Sequence, residues 1–356
     1  MAFSSHPQPV EAAPHAPRVF PTSGFQVIDP ADKVEEEKLP YYNREEYYPM
    51  HIGDVVGGHY QVVAKLGYGT TSTVWLARDL REGKYWTLKV HINTMEYNQE
   101  HVVFRHLASV TGLDDHNGRH YVRTLHDSFT LTGQHGDHEV FVMTPLGMSL
   151  KTLQDMQPYR VFRKELAKNA LDQVLFGLDY LHSAGVVHTD LYSDNLLIAM
   201  TNDSVLAEIE ENEIREPSAR KQDGDRFIYV SRYMLGGIGR LTICDFGHAC
   251  IGSVHTGIAM PLQYRAPEVI LNMEWGSPVD LWAVGLLAWS LLEPEPLFTI
   301  YAPDSPELND AHHLAAMHAL LGPPPPEFLK RSEKTSKYWF EDGTWKGPVP
   351  HFVIAG

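Results

Sequence analysis

The sequence predicts an α+β chain with a small strand-rich part followed by a larger, mostly helical one. Three patterns predict it. Residues from about 58 to 143 alternate apolar and polar side chains in strand-length runs around one helix-like stretch. Between 163 and 183, Leu166, Ala170, Val174, Leu178 and Leu181 recur at steps of three and four, the period of a buried helix face. Gly185 follows as a stop signal. Finally, Ser277-Pro278-Val279-Asp280-Leu281-Trp282-Ala283-Val284-Gly285 opens a strongly apolar helix. The chain of 356 residues suits one such two-part domain plus a tail.

The remaining stretches set the boundaries. Residues 1–40 are rich in Pro, Ala, His and Ser without an apolar period, and are expected to be disordered. Only Arg18 and Lys33 are basic before the run Glu35-Glu36-Glu37, which argues against a transit peptide. The small part then spans 41–146 and the large part 147–356. The large part carries a polar insert, 201–239, in which Val205, Leu206 and Ile209 suggest one short amphipathic helix. No chemistry is assigned to that insert. Two cysteines, with no signal-like or membrane-length apolar run, predict a soluble intracellular protein with no membrane partner. Cys244, Cys250, His248 and His255 lie close together, but their spacing fits no common zinc pattern.

A formal net charge of −16 disfavours direct nucleic-acid binding. The acid is unevenly placed. From Ala266 to Leu329 there is no Lys or Arg, but there are Glu268, Glu274, Asp280, Glu293, Glu295, Asp304, Glu307, Asp310 and Glu327. A surface of that sign attracts a basic partner; a solvated face that aids solubility is the other reading.

Six motifs carry chemistry. Leu66-Gly67-Tyr68-Gly69 leads to Ser72-Thr73-Val74-Trp75-Leu76, with apolar residues alternating on both flanks, so the glycines sit in a strand–turn–strand hairpin. A dinucleotide fold would instead run from its glycines into a helix. Without a Cβ at Gly67 and Gly69, the backbone can close over phosphates. Tyr85-Trp86-Thr87-Leu88-Lys89-Val90 places a lysine in an apolar strand, where burial is expensive without a partner, and Glu100 in the helix-like run 98–107 supplies one. His188-Thr189-Asp190 with Asn195, then Asp245-Phe246-Gly247, set a carboxylate, an amide and a second carboxylate in order. Tyr264-Arg265-Ala266-Pro267-Glu268 closes the segment after Asp245, and the apolar helix from Ser277 completes the order.

In this order the motifs resemble the eukaryotic protein kinases, and among them the SR-protein kinase family in its divergent fungal form. Tyr48-Pro49-Met50-His51-Ile52-Gly53-Asp54, Lys65-Leu66-Gly67-Tyr68-Gly69, Gly177-Leu178-Asp179-Tyr180-Leu181-His182 and His188-Thr189-Asp190 carry the likeness, which covers roughly 40–350. The resemblance implies a two-lobed kinase fold with a β-rich N-lobe and a helical C-lobe. It implies ATP and Mg2+ as cofactors. It gives Asp190 the role of base, with Lys89 and Glu100 as the ion pair that aims at the phosphates. Asn195 and Asp245 become the metal ligands. Leu66, Gly67, Gly69, Val74 and Lys89 surround the nucleotide, and Thr144 and Leu146 hold adenine through their backbones in the hinge Thr144-Pro145-Leu146-Gly147. It further implies serine phosphorylation in basic Arg/Ser-rich proteins, a role in mRNA splicing, a monomer, and a cytoplasmic and nuclear location.

Several residues depart from the family pattern. Tyr192 stands where most kinases have a lysine two residues after the catalytic Asp. Pro261 replaces the threonine that links that lysine to the Asp. Trp86 and Thr87 replace the small apolar pair that caps adenine, and Ser72 replaces a third glycine. Thr189 carries no charge with which to bind a phosphorylated activation segment, so phosphorylation of Ser253 or Thr256 is not expected to be required. Family members continue beyond the Trp339–Pro350 region with helices that supply an Arg to Glu268, so the C-lobe is expected to be incomplete and its central helix partly exposed. Two functions stay open at this point. One is an ATP-dependent serine/threonine kinase; the other is a catalytically impaired pseudokinase that binds nucleotide or an Arg/Ser-rich partner.

Overall fold

A computed structural model of the chain describes residues 15–350. The chain divides into two compact units. One holds the N-terminal arm through Tyr97, Thr124–Met148 and Ala199–Gly239; the other holds Asn98–Arg123, Ser149–Ile198 and the chain from Arg240.

The first unit is built on a six-stranded antiparallel sheet of β1 (Val55–Val56), β2 (Tyr60–Gly69), β3 (Ser72–Asp79), β4 (Tyr85–His91), β5 (Asp127–Thr132) and β6 (Asp137–Met143), in the order β1-β2-β3-β4-β6-β5. Alternation sorts its side chains into two faces. Tyr60, Val62, Trp75, Ala77, Leu88, Val90, Val140 and Val142 pack with Met50 and Tyr229 on one face. Val63, Ala64 and Leu76 pack with Phe20 and Leu206 on the other. Strict alternation along β2 would put Val62 and Ala64 on one face. A register shift between them sends Val62 to one cluster and Ala64 to the other, as a bulge does.

The arm corrects the expectation of disorder over 1–40. Residues 1–14 lie outside the described part; 15–40, mostly exposed, are anchored at Arg18, Phe20, Glu36 and Glu37. Phe20 is buried. The backbone of Arg18 exchanges two 2.8 Å hydrogen bonds with the Gln61 amide. A short helical turn, Glu35–Lys38, presents Glu36 to the buried Lys65 and Glu37 to Lys221 at 2.8 Å. The acidic run is therefore not a solvated tail; it neutralises buried lysines, which removes the main cost of their burial.

The insert is also placed differently from expectation, in the first unit rather than with the large helical part. The helix expected around Val205, Leu206 and Ile209 runs Ser204–Arg215. Its buried Glu210 accepts from the Tyr85 hydroxyl at 2.6 Å and pairs with Arg18 at 3.3 Å. A hairpin follows, Arg220–Asp223 with Arg226–Tyr229. The buried Glu213 accepts from the Ser218 amide (2.9 Å) and hydroxyl (2.6 Å) and pairs with Arg232 and Arg220.

The second unit is helical. The long helix spans Lys164–Ser183 and buries Ala167, Ala170, Val174, Gly177, Leu178, Tyr180 and Leu181, whereas Leu166, expected in the stripe, is exposed. Gly185 at φ 69 ends it in the left-handed region that favours glycine. The expected run 98–107 is a helix over Gln99–Ser109, capped by Asn98, and it falls in this unit rather than with the strands. The central helix, Pro278–Leu292, buries Val279, Asp280, Ala283, Leu286, Leu287 and Leu291 and leaves Leu281, Trp289 and Leu292 exposed. Tyr338, Trp339 and Trp345 close the core formed by Ile270, Leu271, Leu286 and Leu314. Among the described residues, no helix is long and apolar enough to cross a membrane.

Candidate active site

In the first unit the glycine-rich stretch forms the expected hairpin, with Gly69 opposite Ser72 and Gly67 opposite Val74. A Cβ built on Gly67 would meet nothing within 4 Å. The space above the loop is open, as a phosphate cradle requires. Leu66 is half-buried at the loop's base. Lys89 stands opposite Val74 and Phe141 in the sheet, so Lys89 and Val74 share one face of it.

Thr87 is on that same face, opposite Leu76 and Met143. Its hydroxyl is buried without a hydrogen-bond partner. Trp86 does not belong to an adenine cap with it. It points to the opposite face, where its ring stacks on His126 at 3.9 Å. In the hinge stretch, Thr144 is exposed and Leu146 buried. Gly147 there is required by contact: a Cβ would sit 2.0 Å from the Gly236 carbonyl oxygen of the insert. Nothing in local sequence pattern signals that approach, because the partner lies far along the chain.

In the second unit, Asp280 organises the loop that carries Asp190. Fully buried, it accepts from the backbone N–H groups of His188 and Thr189, each at 2.8 Å, and from the His182 ring at 2.8 Å. The sequence places Asp280 at the start of the apolar helix and among the acids of the large part, and gives no sign of this anchoring role. Thr189 has φ 66, a strained value for a β-branched residue, and the two bonds to Asp280 together with its hydroxyl bond to the His248 carbonyl (2.8 Å) hold it there. His188 sits between the Cys244 carbonyl (3.0 Å) and the Asp190 N–H (3.2 Å).

Asp190 and Asn195 are brought together. The Asn195 amide donates to the Asp190 carbonyl oxygen at 2.8 Å and to its carboxylate at 3.1 Å. That use of the NH2 group leaves the Asn195 side-chain oxygen as an acceptor. The Asn195 carbonyl accepts from Cys244 N–H at 2.9 Å, which ties the loop to the strand leading into Asp245. Asp245 is exposed and has φ 64, so its carboxylate leaves the strand line. Phe246 beside it is fully buried against the rings of Phe104 (5.5 Å) and His188 (5.4 Å). Glu100 is buried in the first turn of helix Gln99–Ser109.

An amide oxygen and a carboxylate are hard oxygen donors of the kind Mg2+ takes together with phosphate oxygens and water. Among the described residues no three His, Cys, Asp or Glu side chains gather as a metal cluster. The donor chemistry of Asn195 and Asp245 fits a magnesium ion whose remaining ligands are phosphate oxygens and water.

Burial raises the Asp190 carboxyl above the usual range, with His188 and His248 pulling the other way. Burial also pushes the Tyr192 hydroxyl up to about 12, with Asp190 and Asp194 reinforcing it. Its ring stacks on Tyr264 at 5.7 Å. A neutral aromatic stack therefore occupies the position where the family pattern has a cation. The segment after Asp245 is held by strand pairing and by one arginine: Cys250 and Ile251 pair with Val187 and Val186, and Arg265 donates to the carbonyls of Ala259 and Met260 and pairs with Asp310 at 3.7 Å.

Residues 60–338 match the protein kinase domain family. A serine/threonine protein kinase of Aspergillus fumigatus is 43% identical over 95% of this chain and 84% of that protein. The serine/threonine-protein kinase SRPK of Physarum polycephalum is 32% identical over 88% of this chain and 78% of its own. The crystal structure of a kinase domain superposes with a TM-score of 0.62 at 25% identity, covering 84% of this chain and 82% of that one. The chain belongs to the protein kinase family and has its fold. Its similarity to kinases named for SR proteins agrees with the resemblance carried by Tyr48–Asp54 and His188-Thr189-Asp190.

Proposed function

We propose that the protein is an ATP- and magnesium-dependent serine/threonine kinase that phosphorylates serine in basic Arg/Ser-rich segments. The observation that carries this reading is the Asp190–Asn195 pair on a loop pinned by Asp280. Asp190 accepts the proton of a substrate serine hydroxyl as that oxygen attacks the γ-phosphorus of ATP and the bond from that phosphorus to the β–γ bridging oxygen breaks, releasing ADP. Asn195 holds the carboxylate in place through its NH2 group, and its side-chain oxygen, with the Asp245 carboxylate, would hold the cation. Bound magnesium supplies charge neutralisation at the phosphates. Lys89 contributes a second positive charge. Tyr192 contributes none, so turnover is expected to be slow compared with kinases that keep the lysine, since one lost contact to the transferring group costs on the order of a hundredfold.

The substrate class rests on charge. Of the nine acids between Ala266 and Leu329, Glu274, Glu293, Glu295, Asp304, Glu307 and Glu327 are exposed; Glu307 faces Lys337 at 4.0 Å, and no Lys or Arg stands within the stretch itself. The relative named SRPK supports the same reading. A cytoplasmic and nuclear location and a part in splicing belong to this proposal. Transfer of radiolabelled phosphate from ATP to an Arg/Ser-repeat peptide tests it, with an Asp/Ser-repeat peptide as control. Preferential serine labelling of the basic peptide supports the proposal. Equal labelling of both peptides would remove the substrate assignment, and labelling of neither would favour the pseudokinase reading.

A further inference from the structure

The glycine-rich turn is held from outside by the N-terminal arm. The Tyr47 hydroxyl lies 3.0 Å from the carbonyl oxygen of Gly69 and 3.0 Å from that of Thr70, its proton shared between the two. Tyr47 is buried and its ring lies against Tyr42 at 5.2 Å. The arm is fixed on both sides of this residue. Asn93, just past β4, donates its N–H to the Glu46 carbonyl at 3.1 Å and its side-chain amide to the Glu45 carbonyl at 2.9 Å. On the other side stands Arg226 of the insert hairpin, itself buried. Its guanidinium donates to the Arg44 carbonyl at 2.5 Å, to the Tyr47 carbonyl at 3.3 Å and to the Tyr42 hydroxyl. One run of bonds thus leads from the insert hairpin through the arm to the tip of the turn, entirely within the first unit.

We propose that Tyr47 is a positioning residue for the nucleotide-binding turn, and that Arg226 of the insert sets it. This rests on the kinase reading for its consequence, but not for its geometry. The two-residue turn Thr70-Thr71, between Gly69 and Ser72, is exposed, has little side-chain packing of its own and is costly to order. Binding Gly69 and Thr70 by their carbonyls orders the turn in advance and leaves the space over Gly67 open for phosphate. Pre-organisation of this kind tightens binding without adding a contact to the ligand. It also gives the insert, which touches no reacting atom, a route to nucleotide affinity.

Hydrogen exchange on the full chain tests this without requiring activity. Tyr47→Phe keeps the ring and its packing and removes only the hydroxyl. Exchange of peptides covering 66–74 should quicken about fivefold, as expected for one net hydrogen bond, while peptides from 278–292 stay unchanged. Arg226→Gln should quicken the same peptides, and the double variant should add little to either single one, because both act through one linkage. Unchanged exchange at 66–74 in Tyr47→Phe overturns the proposal. So does a full additive effect in the double variant. Magnesium-ATP titration of the same proteins then separates the two readings. Weaker ATP binding by Tyr47→Phe, with turnover at saturating ATP close to the parent, supports the positioning role. If the parent itself binds no nucleotide, the kinase reading fails while the exchange result still decides whether Tyr47 orders the turn.

Discussion

Asp190 combines a buried carboxylate with a task that needs it ionised. Its raised pKa means that the folded state binds its proton more tightly than the unfolded chain does. The sign follows: its contribution favours folding below the ordinary carboxylate value and is lost as pH rises through the raised one. Asp190→Asn is therefore expected to raise the melting temperature at pH 7.5 and to bring no such gain once the pH approaches 4, while abolishing phosphoryl transfer. Thermal melts across that range check it, and a destabilised Asp190→Asn at pH 7.5 would contradict it. His313 shows the opposite case. Burial, with Arg265 adding to it and the Leu262 backbone opposing it, pushes it down to about 4. A lowered histidine stabilises the fold above its ordinary value of 6.5 and loses that contribution as pH falls towards 4. His313→Leu should flatten the acid side of the stability profile by roughly 3 kcal/mol, read by urea titration at pH 7.5 and 4.5.

Elements were legible in the sequence to the degree that their causes are local. The glycine hairpin, the Asn98-capped helix and the long helix ending at Gly185 each announce themselves within a few residues. The spacing of His188-Thr189-Asp190 and Asn195 likewise anticipates that Asp190 and Asn195 meet, as their two hydrogen bonds do. Trp86 was misplaced because it was grouped with its neighbour Thr87: successive residues of a strand point to opposite faces, and β4 pairs with β3 without a register shift. The arm was misread because it has no period of its own. Its order comes from Lys65 and from Lys221, which lies 184 residues from Glu37. Removing both carboxylates that face the buried Lys65 strands its charge, so the double variant Glu35→Ala with Glu36→Ala is expected to cost about 3 kcal/mol, measured by denaturant unfolding. An effect near zero would mean that the arm does not hold Lys65. The insert's approach to the hinge gives a parallel case: Gly147→Ala drives a Cβ against the Gly236 carbonyl and should cost about 1–3 kcal/mol by overpacking.

At the scale of the molecule, two features pull in different directions. The kinase family assignment and the Asp190–Asn195–Asp245 set favour catalysis. The Tyr192–Tyr264 stack removes a cation from the transferring group and favours slow turnover. The arm and the insert, both peripheral in sequence, converge on the first unit and supply it with buried ion pairs and a tie to the glycine turn. Phosphoserine formation on an Arg/Ser-repeat peptide, followed by mass spectrometry with the parent protein, Asp190→Ala and Asp245→Ala side by side, tests the central claim most directly. The account predicts slow, magnesium-dependent phosphorylation by the parent and none above background by either variant. Phosphorylation that persists in Asp190→Ala at the parent's rate would contradict it.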